Sequence, residues 1–86
     1  MAEIVMYATS WCSFCTRARQ LLEQKGRSWK EIDVSEFPER RSEMRERSGR
    51  NTVPQIWIGE RHVGGFDELL SLDRAGELDA LLDSST

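Results

Sequence analysis

The sequence predicts an α/β fold: a four-stranded mixed sheet flanked by helices, in the order β-α-β-α-β-β-α, within one domain over residues 1–86. Three observations predict it. A β-branched and aromatic run, "EIVMY", is followed by a helical pattern and then by a second strand-like run, "SWKEIDV"; strand, helix, strand is the order of a parallel pair joined by a crossover. Two further short runs, "QIWIG" and "RHVGG", flank Gly59 and Glu60 as a hairpin would. A leucine-rich segment, "FDELLSLDRAGELDALL", then closes the chain with helical spacing.

Each element has its own signal. Residues 3–7 carry the β-branched and aromatic character of a buried strand. Phe14, Cys15, Ala18, Leu21 and Leu22 fall on one face of a helix, which Gly26 ends. Residues 28–34 alternate as a second strand. Pro38 suits a first helical turn, Glu43 and Arg47 stand four apart, and Gly49 ends what reads as a short, mostly solvated helix. Glycine first in the two-residue connection at 59–60 suits a type II′ turn. Leu69, Leu70 and Leu72, then Leu78, Leu81 and Leu82, with a break at Gly76, predict two short helices packed on the sheet, and "DSST" a frayed end. Together these describe a thioredoxin-like layer of sheet and helices.

With 38% apolar and 31% charged residues and a net charge of −3, the chain has an ordinary soluble balance and no basic patch that points to nucleic acid. Its longest uncharged apolar run, Ile4 to Ala8, is too short to span a bilayer, and "MAEIVMY" lacks the regions of a signal peptide. The expected compartment is a reducing cytosol, with no membrane partner. Disulfides there are usually catalytic or redox-sensing, which weighs against a structural staple.

Both cysteines lie in "WCSFC". A closed zinc site needs about four ligands, and the chain offers two cysteines and one histidine, His62, which reads as a solvent-facing strand residue. No metal site is expected within one chain. A redox pair has a mechanism. Cys12 falls at the mouth of the predicted helix, where unpaired N–H groups and the positive end of the helix dipole favour an anion. Cys15 falls one turn in, buried and less acidic, and placed to reach back to a mixed disulfide on Cys12. Lowering a thiol pKa from about 8.5 to about 5 raises its thiolate fraction about thirtyfold, but its nucleophilicity falls by a similar factor. What remains is leaving-group ability, so the site is suited to being cleared and reused.

Along nearly its whole length the chain resembles the glutaredoxins, particularly small bacterial dithiol ones, through "WCSFC", "SGRNTVPQIWIG" and "HVGGFDEL" in order. The resemblance implies a glutathione-dependent thiol-disulfide oxidoreductase that reduces protein disulfides and glutathione mixed disulfides, with glutathione as co-substrate and disulfide-bonded or glutathionylated proteins as partners. Cys12 is then the nucleophile and Cys15 the resolving thiol. The bond between Val53 and Pro54 is cis in the family, an isomer that costs about 0.5–1 kcal/mol for proline, and turns the Val53 backbone toward a substrate's cysteinyl backbone; the plain alternative is a proline at strand entry. The implied glutathione groove comprises Phe14, Arg41, Thr52, Val53, Pro54, Gly65, Phe66 and Asp67. Gly64 and Gly65 allow close backbone approach before a helix start; the Phe66 amide receives the γ-glutamyl carboxylate and Asp67 its ammonium. On the residues alone, Asp67 equally suits N-capping, Phe14 core burial, and Arg41 a solvated helix face.

The chain departs from the family pattern in three places. Thr9 stands where many relatives carry a lysine for the glycine carboxylate of glutathione, a duty Arg41 shares in relatives. Ser13 replaces a proline, restoring an N–H beside the thiols. Phe14 replaces tyrosine, losing a hydroxyl. Some plant and animal glutaredoxins with serine in that slot bridge a 2Fe-2S cluster between two subunits through the first cysteine and glutathione, and Trp11 adds to the likeness with plant forms. The resemblance therefore implies a monomer, or a dimer where Cys12 ligates such a cluster.

Overall fold

The computed structural model describes residues 2–84. Eight elements follow in order: β1 (Ile4–Ala8), α1 (Ser13–Gln24), β2 (Lys30–Asp33), α2 (Pro38–Ser48), β3 (Gln55–Ile58), β4 (Arg61–Gly64), α3 (Phe66–Arg74) and α4 (Leu78–Asp83). The sheet order is β2-β1-β3-β4, with β1 parallel to β2 and antiparallel to β3, and β3 antiparallel to β4. This is the expected thioredoxin-like sheet. The expected frayed end falls partly on Ser85 and Thr86, outside the described residues.

Side-chain alternation along the central strands divides the core in two. Ile4, Met6 and Ala8 of β1 and Ile56 and Ile58 of β3 face α1, α3 and α4, where they pack with Ala18, Leu22, Leu69, Leu78 and Leu82. Tyr7 and Trp57 point to the opposite face and pack with Ile32, Val34 and Met44, the one buried residue of α2. Four of the five residues of the predicted α1 face, Cys15, Ala18, Leu21 and Leu22, are buried, while Phe14 is exposed.

Glycines end the helices where the backbone turns left-handed. Gly49, the C-cap of α2, has φ of 72° and Gly76, between α3 and α4, has φ of 74°. Gly59 has φ of 61°, as the first position of the expected type II′ turn requires, and among the described residues no other residue type has positive φ.

One expected pairing is not made. Glu43 and Arg47 both converge on the buried Tyr7 hydroxyl instead of on each other: the hydroxyl donates to Glu43 and accepts from Arg47 at 2.8 Å. Arg40 takes Glu43 at 3.0 Å, and the Arg47 guanidinium lies 4.5 Å from the Trp57 ring centroid. A buried hydroxyl outbids a solvated i,i+4 pair because leaving it unbonded costs about 1–3 kcal/mol, against about 0.3–0.5 kcal/mol for the exposed pair.

Leu22 is fully buried between α1 and the sheet. Leu22→Ala is expected to lower unfolding stability by about 3 kcal/mol through lost transfer energy and the cavity left behind, read as a drop in the urea midpoint.

Candidate active site

The site is built where β1 hands the chain to α1. Cys12 is the N-cap of α1, with extended backbone at φ −91° and ψ 118°. Its carbonyl accepts the first helical bond from Thr16 N at 3.0 Å, and its Sγ accepts from Cys15 N at 3.2 Å. The sulfur thus occupies the position in which a capping oxygen normally answers an orphan helix N–H. Its own S–H donates to the Val53 carbonyl at 3.6 Å. Both cysteines are free thiols, Cys12 half-buried and Cys15 at 0% exposure.

The two sulfurs sit in different surroundings. Burial pushes the Cys15 thiol up to about 12, and the neighbouring Cys12 sulfur pushes the same way, against the Thr9 amide and the more distant Arg19 cation. Arg19, one turn beyond Cys15, donates to the Thr9 carbonyl at 3.1 Å and pairs with Glu31 at 2.7 Å. It ties the loop before Cys12 to α1 and β2. Thr9 itself is buried, so its side chain is not offered to a ligand.

Beside the sulfurs lies a cavity of about 350 Å³. Phe14, Thr52, Val53, Pro54, Gly65, Phe66 and Asp67 all line it, so seven of the eight residues expected of a glutathione groove are brought together. The Val53–Pro54 bond is cis, as expected from the family likeness. Arg41 is not among the lining residues; its guanidinium donates to the carbonyl and Oδ1 of Asn51, each at 3.1 Å. Phe14 is 49% exposed, a wall of the cavity and not a core residue, with Arg17 6.0 Å from its ring centroid. Trp11 is 77% exposed beside the pair.

The start of α3 differs in detail from expectation. Gly65 is its N-cap, and the carboxylate that answers the Gly65 N–H is that of Glu68, at 2.9 Å, not that of Asp67. This is the reciprocal half of a capping box. Asp67 is exposed at the second helical position. The close approach expected of the glycine pair falls on Gly64: its φ is 116°, and a Cβ there would collide with the Glu68 carboxylate, whereas one on Gly65 would meet the Pro54 carbonyl at 3.4 Å and Glu68 Oε1 at 3.9 Å. Arg50, Gln55 and Glu68 also line the cavity and were missed from sequence. "SGRNTVPQ" put Arg50 and Gln55 beside the proline loop, but no periodicity marks which way they turn.

Among the described residues no group of three or more His, Cys, Asp or Glu side chains gathers as a metal site. One chain supplies a single accessible thiol, Cys12, so a bridged iron-sulfur centre would take its other ligands from a second chain and from free thiols.

A half-exposed thiol on a helix N-cap, a buried partner one turn on, and a cis-proline loop facing them define a thiol-disulfide oxidoreductase of thioredoxin-like fold. Comparison with known proteins narrows the class. Residues 4–63 match the family model described as Glutaredoxin. A glutaredoxin of Pseudomonas aeruginosa is 55% identical over 82 residues, covering 95% of this chain and 98% of its own. The solution structure of glutaredoxin from Brucella melitensis is 52% identical, with a TM-score of 0.84 over 95% of this chain and 89% of its own. A buckwheat glutaredoxin-glutathione complex, 26% identical, has a TM-score of 0.88 over 94% of this chain and 76% of its own. The chain belongs to the glutaredoxin family.

The Gly65 amide, and after it the Arg50 guanidinium, hold the Glu68 carboxyl below its ordinary 4.5. A carboxyl with a lowered folded value adds stability above pH 4.5 that is lost as pH falls through that folded value. Because the pair is solvent-exposed, the contribution is expected to be under about 1 kcal/mol. Wild type should therefore lose slightly more stability than Glu68→Gln between pH 7 and about pH 3, measured by urea unfolding at each pH.

Proposed function

We propose that the protein is a glutathione-disulfide oxidoreductase that works as a monomer in a reducing cytosol, releasing glutathione from mixed disulfides and reducing protein disulfides. The observation that carries this is the Cys12 sulfur on the helix N-cap, held by Cys15 N at 3.2 Å and bonded to the Val53 carbonyl that lines the adjoining cavity. The buckwheat relative was solved as a glutathione complex, which supports the ligand class.

In the proposed reaction the Cys12 thiolate attacks the glutathione sulfur of a mixed disulfide. The protein–glutathione S–S bond breaks, a Cys12–glutathione bond forms, and the released protein thiolate takes a proton. A second glutathione thiolate then attacks the same glutathione sulfur and expels Cys12 as thiolate, leaving oxidised glutathione. Bonding from the Cys15 amide favours the sulfur anion both as nucleophile and as leaving group.

Groove residues divide the work of holding a tripeptide with two carboxylates and one ammonium. The Phe66 amide, at the first position of α3, takes the γ-glutamyl carboxylate at the positive end of the helix, while Asp67 takes the ammonium. Val53 pairs with the cysteinyl backbone, Thr52 and Pro54 border it, and Phe14 closes the side. Gly65 keeps the helix start near the Pro54 carbonyl. Arg41 joins only by exchanging Asn51 for the glycine carboxylate.

On protein disulfides the same attack leaves Cys12 joined to the substrate, and Cys15 displaces it. The Cys15 thiol stays protonated while Cys12 is free, since burial and the Cys12 sulfur both oppose its ionisation. Once Cys12 is bonded to the substrate, the opposition from its sulfur is removed, leaving burial opposed by the Thr9 amide and Arg19. Resolution is thereby timed to follow attack. Two glutathiones then reopen the Cys12–Cys15 disulfide.

Cys12→Ser is expected to reduce glutathione-coupled reduction of a small mixed disulfide by about 10³-fold or more, as removal of a nucleophile does. Cys15→Ser is expected to keep activity on a glutathionylated peptide within about threefold while losing reduction of a protein disulfide. Equal activity of wild type and Cys12→Ser would overturn the assignment.

A further inference from the structure

His62 was expected to face solvent; the structure instead turns it inward, half-buried, against β3. Gln55 opens β3 directly after the cis proline and has no solvent exposure. A buried amide must have both its ends answered. Its Nε2 donates to the Thr52 carbonyl at 3.0 Å and to Thr52 Oγ1 at 3.2 Å, and its Oε1 lies 2.7 Å from His62 Nε2.

The direction of these bonds follows from elimination. Both amide hydrogens of Gln55 are spent on Thr52, so the atom facing His62 is an oxygen acceptor, and His62 Nε2 must carry the hydrogen. Burial, then the Arg50 cation, lowers the histidine's affinity for a second proton, with Arg47 pushing the same way against Glu68. The ring stays neutral and its Nδ1 needs no hydrogen. Its plane is held by Trp57, whose ring centroid lies 4.6 Å away at 31°; Trp57 is itself wedged against Tyr7 at 5.3 Å and Arg47 at 4.5 Å. The β-bulge between Ile56 and Trp57 lies within the stretch of β3 that His62 spans from its stack to its hydrogen bond.

A chain of bonds therefore runs from the edge strand β4, through a buried side chain of β3, to Thr52, which stands exposed on the rim of the cavity. We propose that His62 and Gln55 are positioning residues of the glutathione groove: the His62 Nε2–H fixes the Gln55 amide, and the amide fixes Thr52 and with it the backbone that leads into Val53. The proposal rests on the groove assignment made above. His62 does not line the cavity, and Gln55, at its edge, has no exposed surface of its own. Their effect falls on binding, because Thr52 and Val53 border the ligand while the sulfur chemistry belongs to Cys12 and Cys15.

The test compares wild type, His62→Ala and His62→Gln in steady-state kinetics with a glutathionylated peptide, alongside thermal melting of each. The glutamine places an N–H at nearly the reach of imidazole Nε2. His62→Ala should raise KM about five- to tenfold with kcat within about twofold, the size expected for one neutral hydrogen bond, and His62→Gln should return KM to within about twofold of wild type. Imidazole ¹⁵N shifts of the wild-type ring should show the Nε2–H tautomer at neutral pH. Unchanged KM in His62→Ala, loss of kcat in step with melting temperature without rescue by glutamine, or an Nδ1–H ring would each overturn the positioning role. Failure of the underlying groove assignment looks different: wild type itself would show no saturable turnover of the glutathionylated peptide while still reducing a small disulfide through Cys12.

Discussion

A sulfur sits where a helix normally seats a capping oxygen. The first turn of α1 has N–H groups with no partner inside the helix, and at its mouth Cys15 N donates to Cys12 Sγ at 3.2 Å. That single contact joins the two cysteines, since the residue whose backbone supports the first sulfur is the one whose side chain is proposed to resolve it. Much else serves to hold this mouth still. Arg19 ties the Thr9 carbonyl to Glu31, and the apolar face of α1 anchors the helix on the sheet through Ala18 and Leu22.

The cavity beside the sulfurs is shaped by two backbone segments that approach each other from opposite sides of the site. One leads from Thr52 through the cis bond to Gln55; the other turns at Gly64 into α3. Glu68 braces the second by bonding the Gly65 amide and Arg50, so Arg50, next to the first segment's start, is linked to the helix start across the groove. Glu68 answers the Gly65 N–H, and the next amides of α3 are among those a helix start leaves without an intrahelical partner. The exposed ring of Phe14 adds an apolar wall.

Much of this was legible in the sequence because it depends on local pattern. Alternating residues in β1, the apolar stripe of α1, the glycine at 59 and the break at Gly76 each obey the period or dihedral of one element, and the elements formed where those signals lie. The cysteine pair and the "TVP" and "GGFD" stretches were legible through family resemblance, and the fold brought seven of the eight expected groove residues to one cavity. What was not legible depends on long-range partners. Glu43 and Arg47 stand at helical pairing distance, yet Tyr7, 36 positions before Glu43, takes both. Asp67 and Glu68 are adjacent carboxylates, and only the turn of α3 decides that the latter caps it. His62 lies on a short edge strand, where alternation cannot distinguish water from a buried amide on β3. Arg41 was expected at the groove, but Asn51 lies within reach and holds it.

In the reduced, folded protein one sulfur is presented at the helix mouth while burial keeps the other protonated, an asymmetry on which the proposed reaction depends. Its most direct test is brief iodoacetamide treatment of the reduced, folded protein at pH 7, followed by peptide mapping of each cysteine. Modification confined to Cys12, with Cys15 labelled only after unfolding, is the predicted result. Labelling of Cys15 at a rate equal to or above that of Cys12 in the folded protein would contradict it.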